Sequence, residues 1–268
     1  MFKPKDYPFI LFGSDPLGPV VLRTLEMADC APTLYISDKK LTLDEQLDLV
    51  EQYKISFILV AGYGRILKQA LLDSVAGQVL NIHPSLLPEY RGPAPVVQTI
   101  LDGATETGVT VIELDAQVDH GPVLAQENYP LRGNETPSEL YEILGDRGAR
   151  MFLDVIEDYL NDELDMLPQN HDDASFTHFV KKEDGLLLPE KESAVDMERK
   201  IRAYAGWPSA WLMHEEKRLI IHKAHIGSNG ELVPTEVQPE NGKRMSFEAY
   251  ASGQRLKPTA LAQALHLN

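Results

Sequence analysis

The most constraining feature of this chain is an alternation of short apolar runs with amphipathic segments over its first 160 residues. Short apolar runs are typical of buried strands, and apolar spacings of three and four are typical of helices. A helix is predicted over residues 17–27, and strands are predicted over residues 8–12, 33–37, 55–61, 78–82 and 108–114. Two further helices are predicted to begin after Thr42 and Thr136, because a glutamate follows each threonine by three residues, as in a capping box. Strands that alternate with helices predict an α/β fold whose sheet is largely parallel in its first half.

The charges are distributed unevenly along the 268 residues. Residues 1–180 contain 12 Lys and Arg against 29 Asp and Glu, whereas residues 181–268 contain 13 against 12. Two segments that differ this much in charge predict two domains with different partners. Polar residues and a proline at 162–173 favour a connection between them. We therefore expect a first domain over residues 1–165, a linker over 166–180 and a second domain over 181–268.

Composition excludes several kinds of protein. The single cysteine, Cys30, excludes an internal disulfide and any metal site built from several cysteines. No apolar run approaches the roughly 20 residues of a membrane-spanning helix, and the N-terminus is short and charged, which predicts a cytoplasmic protein without a membrane partner. The formal net charge of −16 argues against nucleic acid as a partner of the chain taken as a whole, because Lys and Arg are the residues that neutralise phosphates.

Two polar residues stand at the end of the fourth predicted strand. Asn81 and His83 are two positions apart, so on an extended chain an amide and an imidazole point to the same face and can converge on one atom. Pro84 and Pro88 then restrict the loop that leaves the strand. An asparagine and a histidine at a strand end can also be ordinary turn residues, and spacing alone does not separate that interpretation from catalysis.

A second polar stretch, residues 115–122, follows the fifth predicted strand. Its Asp119 would bring a carboxylate to the same edge of the sheet, where it could hold an imidazole protonated or receive a proton. The stretch could equally be an acidic turn. His83, Asp119 and His120 could together hold a metal ion, but an adjacent Asp and His rarely share one ion, so we expect no metal. The turn after the first strand, residues 13–18, lacks the spacing of a dinucleotide fingerprint.

Four stretches of the sequence resemble a known superfamily. Residues 81–88 read NIHPSLLP and are followed by an Arg-Gly pair, and residues 60–67 read VAGYGRIL. Together these motifs resemble the signature of the 10-formyltetrahydrofolate-dependent formyltransferases. Residues 201–212 and 237–246 further resemble the small barrel domain of the methionyl-tRNA formyltransferases, a short variant of which this chain would be. The resemblance implies a Rossmann-like α/β formyltransferase domain with a mostly parallel sheet, followed by a small C-terminal β-barrel of the OB type.

The resemblance also implies an activity and a set of site residues. The formyl group of 10-formyltetrahydrofolate would pass to the α-amine of methionyl initiator tRNA, for translation initiation, without a metal ion. Asn81 and a protonated His83 would donate hydrogen bonds to the formyl oxygen, and Asp119 would keep His83 charged and help to move the proton of the attacking amine. The folate would be held by three segments, which are Arg65, Ile66 and Leu67; Ser85, Leu86, Leu87 and Pro88; and Asp115, Ala116, Gln117 and Val118.

Basic residues are the candidates for contact with tRNA. The resemblance places a strand–helix unit and a basic loop after the second strand, where this chain has only residues 38–41. Basic residues of the second domain could share one face and follow phosphates. Trp207 and Trp211 are expected in the core of that domain rather than stacked on a base. The predicted tRNA contacts are Lys39, Lys40, Arg91, Lys181, Lys182 and Arg202.

Two other functions stay open at the level of sequence. One is formylation of a different amine, such as an amino sugar on a nucleotide, although no nucleotide-sugar motif is evident. The other is a folate-binding protein without catalysis, against which the presence of Asn81, His83 and Asp119 together argues. We expect a monomer, because the sequence shows no evident exposed apolar interface.

Overall fold

A computed structural model of the protein describes residues 2–267. The chain divides into two compact units. The first contains the residues up to 96 together with 105–131 and 138–178, and the second contains 97–104, 132–137 and the residues from 179 onward.

The first unit is built on a six-stranded sheet with the order β2-β1-β3-β4-β5-β6. Strands β1 to β4 are parallel, β5 is antiparallel to β4, and β6 is antiparallel to β5. The strands are β1 Phe9–Gly13, β2 Leu34–Ile36, β3 Phe57–Ala61, β4 Val79–His83, β5 Glu106–Glu113 and β6 Val123–Pro130. The first five helices of the chain are α1 Gly18–Met27, α2 Leu43–Tyr53, α3 Gln69–Asp73, α4 Pro95–Asp102 and α5 Pro137–Leu160.

The apolar runs of the sequence form the strands at the centre of this sheet. All residues of β1 and β3 are buried, as expected for parallel strands covered on both faces. Phe9 and Phe57 are partners in the register of these strands, and their rings stack with centroids 4.8 Å apart. At the start of α2, the Thr42 hydroxyl accepts from the Glu45 amide while the Glu45 carboxylate accepts from the Thr42 amide, which is the predicted capping box.

The predicted α/β class is confirmed, and the five predicted strands are observed with ends that differ by at most two residues. The helices predicted after Thr42 and Thr136 are also observed. Strand β6 was not predicted, because Leu124 is its one buried residue and the six residues that follow, AQENYP, carry no hydrophobic alternation. Helix α4 was not predicted either, since its eight residues form too short a segment for a periodic pattern to stand out.

The second unit contains a small antiparallel sheet with the order β10-β9-β8-β7. Its apolar face packs with residues of the surrounding helices into a separate core that includes Leu212, Ile221 and Leu261. Trp207 is 64% exposed, so the expectation that it lies in the core is wrong, whereas Trp211 is half-buried. The elements are α6 Ala194–Ala203, β7 Ala210–His214, β8 Lys217–Ile226, β9 Leu232–Pro239, β10 Met245–Ser246, α7 Phe247–Gly253 and α8 Pro258–Ala264.

Within residues 2–267, none of the helices combines the length and the apolar character that a membrane span requires.

Candidate active site

Strand β4 carries two polar side chains at its carboxyl end although all five of its residues are buried. It lies between β3 and β5, so its backbone is paired on both sides. Asn81 and His83 lie on one face of the strand because side chains alternate along it. They are 8% and 4% exposed, so both polar groups need partners inside the protein.

The Asn81 amide is held by Asp119. Its Nδ2 atom donates a hydrogen bond to Asp119 Oδ1 over 3.2 Å. An amide nitrogen carries two hydrogens, and among residues 2–267 no second acceptor contacts Nδ2. One N–H of Asn81 is therefore fixed in direction by Asp119, and the other is free to donate to a substrate.

The orientation of the His83 ring follows from its two neighbours. Its Nε2 atom lies 3.0 Å from the carbonyl oxygen of Tyr90. A carbonyl oxygen only accepts, so Nε2 carries a hydrogen and donates. The other ring nitrogen, Nδ1, faces Asp119 Oδ2 at 3.6 Å, which is too long for a hydrogen bond. Since Nε2 already carries a hydrogen, Nδ1 carries one only in the imidazolium form, and that hydrogen would be available to a substrate atom beside the carboxylate.

Asp119 reaches this site through a loop. Strand β5 runs antiparallel to β4 and ends opposite Leu80, and the loop of residues 114–122 then returns toward His83. Asp119 has a φ of +48°, in the left-handed region that Asp tolerates better than most residues. Its Oδ2 atom accepts from the Gly92 amide over 2.8 Å. The structure thus brings together the three predicted catalytic side chains of Asn81, His83 and Asp119.

Residues 167–177, which follow α5, complete the surroundings of the site. Leu167 exchanges two backbone hydrogen bonds with Val123, at the start of β6. Further along, Thr177 donates its amide to the Arg91 carbonyl, and the Tyr90 amide donates to Ser175 Oγ. The sequence places most of these residues in a linker, because they are polar and have no periodicity. In the structure they belong to the first unit and are hydrogen-bonded to the loop that follows β4.

Gln169 is the functional candidate that sequence reasoning missed. It is 8% exposed, and its Nε2 atom donates to the carbonyl oxygens of Asp119 over 3.0 Å and Gly121 over 2.7 Å. Its Oε1 atom accepts from Arg91 Nε and Nη2 over 3.1 and 2.6 Å. A glutamine in a polar stretch gives no sequence signal for such a role, because the partners are distant along the chain.

Arg91 is buried rather than available to phosphates. It is 3% exposed, and besides Gln169 its Nη2 atom contacts His171 Nδ1 over 2.9 Å. Burial lowers the pKa of its guanidinium, while the charges of Asp119 and Asp115 act in the opposite direction. The prediction that Arg91 contacts tRNA is therefore corrected, because its side chain is buried and its Nε and Nη2 atoms are bound inside the first unit.

Two histidines stack beside Arg91. The rings of His120 and His171 lie 3.9 Å apart at an angle of 9°, and His120 Nδ1 contacts Asp115 Oδ2 over 2.6 Å. Burial, then His120 and then Arg91 lower the pKa of His171. Since Arg91 only donates, His171 Nδ1 accepts from it and carries no hydrogen.

The predicted folate-binding loops expose apolar side chains and unpaired backbone groups. Ile66, in the loop after β3, is 81% exposed, and Val118 is also exposed. Within the described chain, the backbone N–H and C=O groups of four of the predicted residues make no hydrogen bond; these are Ile66, Leu67, Ala116 and Val118. The Arg65 side chain donates to the carbonyls of Lys39 and Leu41. Gln117 donates its amide to Asp115 Oδ1, which fixes the start of the second loop.

The predicted segment Ser85 to Pro88 is held by hydrogen bonds within the protein. The Ser85 hydroxyl donates to the Glu89 carbonyl, and Thr110 Oγ1 donates to the Ser85 carbonyl and accepts from the Leu87 amide. An open cavity of about 470 Å³ borders the segment and falls within the size range of small-molecule sites. It is lined by Leu86, Leu87, Pro88, Glu89, Tyr90, Glu106, Thr107 and Asp173.

The remaining predicted tRNA contacts differ in accessibility. Lys39, Lys40, Lys181 and Lys182 are exposed. Arg202, by contrast, is bound by the Glu198 carboxylate and the Glu135 carbonyl, so its guanidinium is largely engaged within the second unit. Among residues 2–267, no group of three or more His, Cys, Asp or Glu side chains is arranged to hold a metal ion.

Comparison with known proteins decides the family. Residues 19–156 match the model of the formyl transferase family, and residues 180–232 match the model of the formyl transferase C-terminal domain. A methionyl-tRNA formyltransferase from Neisseria meningitidis serogroup C is 32% identical over 235 residues, which cover 80% of this chain and 76% of that relative. The chain belongs to the methionyl-tRNA formyltransferase family. The resemblance found in the sequence is thereby confirmed.

Other relatives match over different lengths. The methionyl-tRNA formyltransferase of Chloroflexus aggregans is 43% identical over 171 residues, and this match spans 63% of the chain and 54% of that relative. Among solved structures, the methionyl-tRNA formyltransferase from Clostridium thermocellum superposes with a TM-score of 0.67 at 19% identity, covering 87% of this chain and 98% of that one. HypX from Aquifex aeolicus in complex with tetrahydrofolic acid gives a TM-score of 0.67 at 18% identity, over 90% of this chain and 46% of that one. These structural matches show the common fold.

Proposed function

We propose that the protein transfers a formyl group from 10-formyltetrahydrofolate to the α-amine of methionyl initiator tRNA. The observation that carries the proposal is the convergence of Asn81, His83 and Asp119 at the end of β4, in a chain of the methionyl-tRNA formyltransferase family. The donor supplies an activated formyl group, and the protein supplies the hydrogen bonds and the charge that its transfer requires.

Asn81 and His83 stabilise the charge that develops during transfer. As the amine attacks the formyl carbon, negative charge grows on the formyl oxygen. The free N–H of Asn81 and the Nδ1–H of His83 donate to that oxygen, and donors fixed in advance usually contribute most to acyl transfer. The anchored orientation of both groups, through Asp119 and the Tyr90 carbonyl, means that little reorganisation accompanies the step.

Asp119 has two tasks in this scheme. Its carboxylate lies next to His83 Nδ1 and stabilises the imidazolium by attraction. As the amine becomes a neutral amide it loses a proton, and Asp119 receives it directly or through water. The bond between the formyl carbon and N10 of the donor breaks as the oxyanion collapses, and N10 takes up a proton, so that tetrahydrofolate leaves. No covalent enzyme intermediate is required.

The loops of residues 65–67 and 115–118 hold the pterin ring. A pterin edge has both hydrogen-bond donors and acceptors, which match the unpaired backbone groups of Ile66, Leu67, Ala116 and Val118. The exposed side chains of Ile66 and Val118 offer apolar contact to the ring faces.

Exposed lysines provide the contact with tRNA phosphates. We assign this role to Lys181 and Lys182 in the second unit and to Lys39 and Lys40 in the short loop after β2. The protein acts as a monomer in the cytoplasm.

A direct assay tests the function. Purified protein is incubated with 10-formyltetrahydrofolate and methionyl initiator tRNA, and formyl-methionine ester is measured against a reaction without enzyme. A parallel reaction contains a nucleotide-linked amino sugar as the acceptor. We expect formylation of the methionyl-tRNA alone. Absence of the ester would refute the proposal, and product in the parallel reaction alone would assign the enzyme to a different acceptor.

A further inference from the structure

The backbone of Asp119 has an unfavourable conformation, so contacts with other residues must hold Asp119 in place. Its φ of +48° lies in a region that costs a non-glycine residue about 1 kcal/mol or more. Its side chain contacts Asn81 and Gly92, but neither contact holds the loop backbone. The group that binds the backbone at Asp119 and Gly121 comes from a different part of the chain.

Gln169 binds the loop backbone on both sides of His120. Its Nε2 atom donates to the Asp119 carbonyl over 3.0 Å and to the Gly121 carbonyl over 2.7 Å. These two bonds use both hydrogens of the amide nitrogen. A single side chain thus closes the turn that carries the carboxylate.

Arg91 fixes the orientation of the Gln169 amide. Both bonds from the guanidinium end on Oε1, and a guanidinium can only donate. A flipped amide would direct N–H groups at the guanidinium and its oxygen at two carbonyls, so only one orientation is possible. Arg91 also follows β4 in the chain and carries its own backbone bonds to residues 175 and 177.

We propose that Gln169 is a positioning residue for formyl transfer, which holds Asp119 at His83 and Asn81 through its two backbone bonds and is itself oriented by Arg91. The inference rests on the proposed function for its effect on turnover. Loss of the Gln169 bonds should also change the exchange of one backbone amide, whether or not the protein is active. The Gly92 amide donates to Asp119 Oδ2, so its exchange with solvent reports whether the carboxylate is in place.

Two substitutions separate the parts of this arrangement. Gln169→Leu removes all four hydrogen bonds at similar volume. Gln169→Glu keeps acceptors for Arg91 but loses the two donors to the loop. Thr24→Val is the matched control, because Thr24 is also buried and its hydroxyl donates to Asp146 Oδ1 within the first unit, without a hydrogen bond to the residues around Asp119.

Turnover gives the first readout. We expect both Gln169 variants to lower kcat by about tenfold or more with KM for both substrates nearly unchanged, since small displacements of a reacting group are costly. In an Asp119→Ala background, Gln169→Leu should cost nothing further, because its effect passes through the carboxylate. Full turnover in Gln169→Glu, or additive losses in the double variant, would overturn the proposal.

Amide exchange gives the second readout and is measured by NMR on the same proteins. The Gly92 amide should exchange at least about tenfold faster in Gln169→Leu and in Asp119→Ala than in the wild type. Thr24→Val should leave it unchanged. Unaltered protection of Gly92 in Gln169→Leu would refute the positioning role even if the wild-type protein formylated no acceptor, so failure of the inference and failure of the proposed function are distinguished.

Discussion

The His83 Nδ1 atom lies 3.6 Å from the Asp119 Oδ2 atom, although Asp119 follows a strand that runs antiparallel to the strand of His83. The two residues are close because the loop of residues 114–122 doubles back from the end of β5. Their separation leaves Nδ1 without a completed hydrogen bond. A hydrogen on Nδ1 would therefore stay available to a substrate beside the carboxylate.

Substitution of this pair tests whether the two residues act as a unit. His83→Ala and Asp119→Ala should each lower kcat by about a hundredfold, through loss of an oxyanion donor or of its supporting charge. The kcat of the double variant should lie within about threefold of the kcat of the slower single variant. Losses of rate at residues that act together do not add. Initial rates of methionyl-tRNA formylation measure all three. Near-normal rates in either single variant would remove that residue from the mechanism.

Asn81→Ala removes the free amide N–H and the contact with Asp119. We expect kcat to fall by about a hundredfold with folding preserved, as for loss of a fixed oxyanion donor. Asn128→Ala is the control, since Asn128 lies on β6 and donates to Glu106 on the exposed side of the same unit. Equal rates for the two variants would contradict the assignment of Asn81.

Gly92→Ala tests the anchor of the Asp119 carboxylate. Gly92 has a φ of +108°, and an added Cβ would lie 2.8 Å from the Thr177 carbonyl oxygen. We expect a loss of about 1–3 kcal/mol in the free energy of unfolding, or a Tm lowered by several degrees, together with reduced turnover. Gly133→Ala is the matched control, because Gly133 also has a positive φ but has no atom within 4 Å of such a Cβ. The same loss of stability in both variants would mean that the contact with Thr177 is unimportant.

The pH dependence of stability tests the environment of His171. Burial, His120 and Arg91 lower the pKa of this imidazole from 6.5, so the folded state favours its neutral form. That stability is fully present above pH 6.5 and is lost as the pH falls through the lower folded pKa. Between pH 7.5 and pH 5, the free energy of unfolding measured with urea should fall more steeply for the wild type than for His171→Asn. The asparagine keeps an acceptor for Arg91 without a titrating group. Equal dependence of the free energy of unfolding on pH in the two proteins would contradict a lowered pKa of His171.

The salt dependence of tRNA binding tests the exposed lysines. Replacing Lys181 and Lys182 with Ala should weaken binding and reduce the slope of log K against log salt by about one to two, as expected for the loss of one or two phosphate contacts. The control replaces Lys3 and Lys5, which are exposed lysines of the first unit outside the predicted contacts. An unchanged slope would mean that other residues hold the phosphates.

Local sequence patterns were sufficient for the regular elements and for the two strand residues of the site. Apolar runs predict β1 and β3, because a strand covered on both faces is usually apolar throughout. The spacing of Asn81 and His83 predicts that they share a face, since alternation is a property of any strand. The Thr42 capping box is equally local and equally well predicted.

The tertiary structure decided what the sequence pattern left open. Asp119 belongs to the site because a loop reverses after an antiparallel strand, and strand direction depends on pairing between distant segments. Gln169 and Arg91 lie 78 residues apart and meet in a bidentate contact that no local pattern encodes. Arg91 looked like a phosphate contact from its charge, yet burial and the Gln169 amide turn it inward. The sequence by itself determined which residues can perform the chemistry, because residue type and local periodicity are written in it. Only the three-dimensional structure decided which groups hold them in place, because that depends on contacts between segments far apart in the chain.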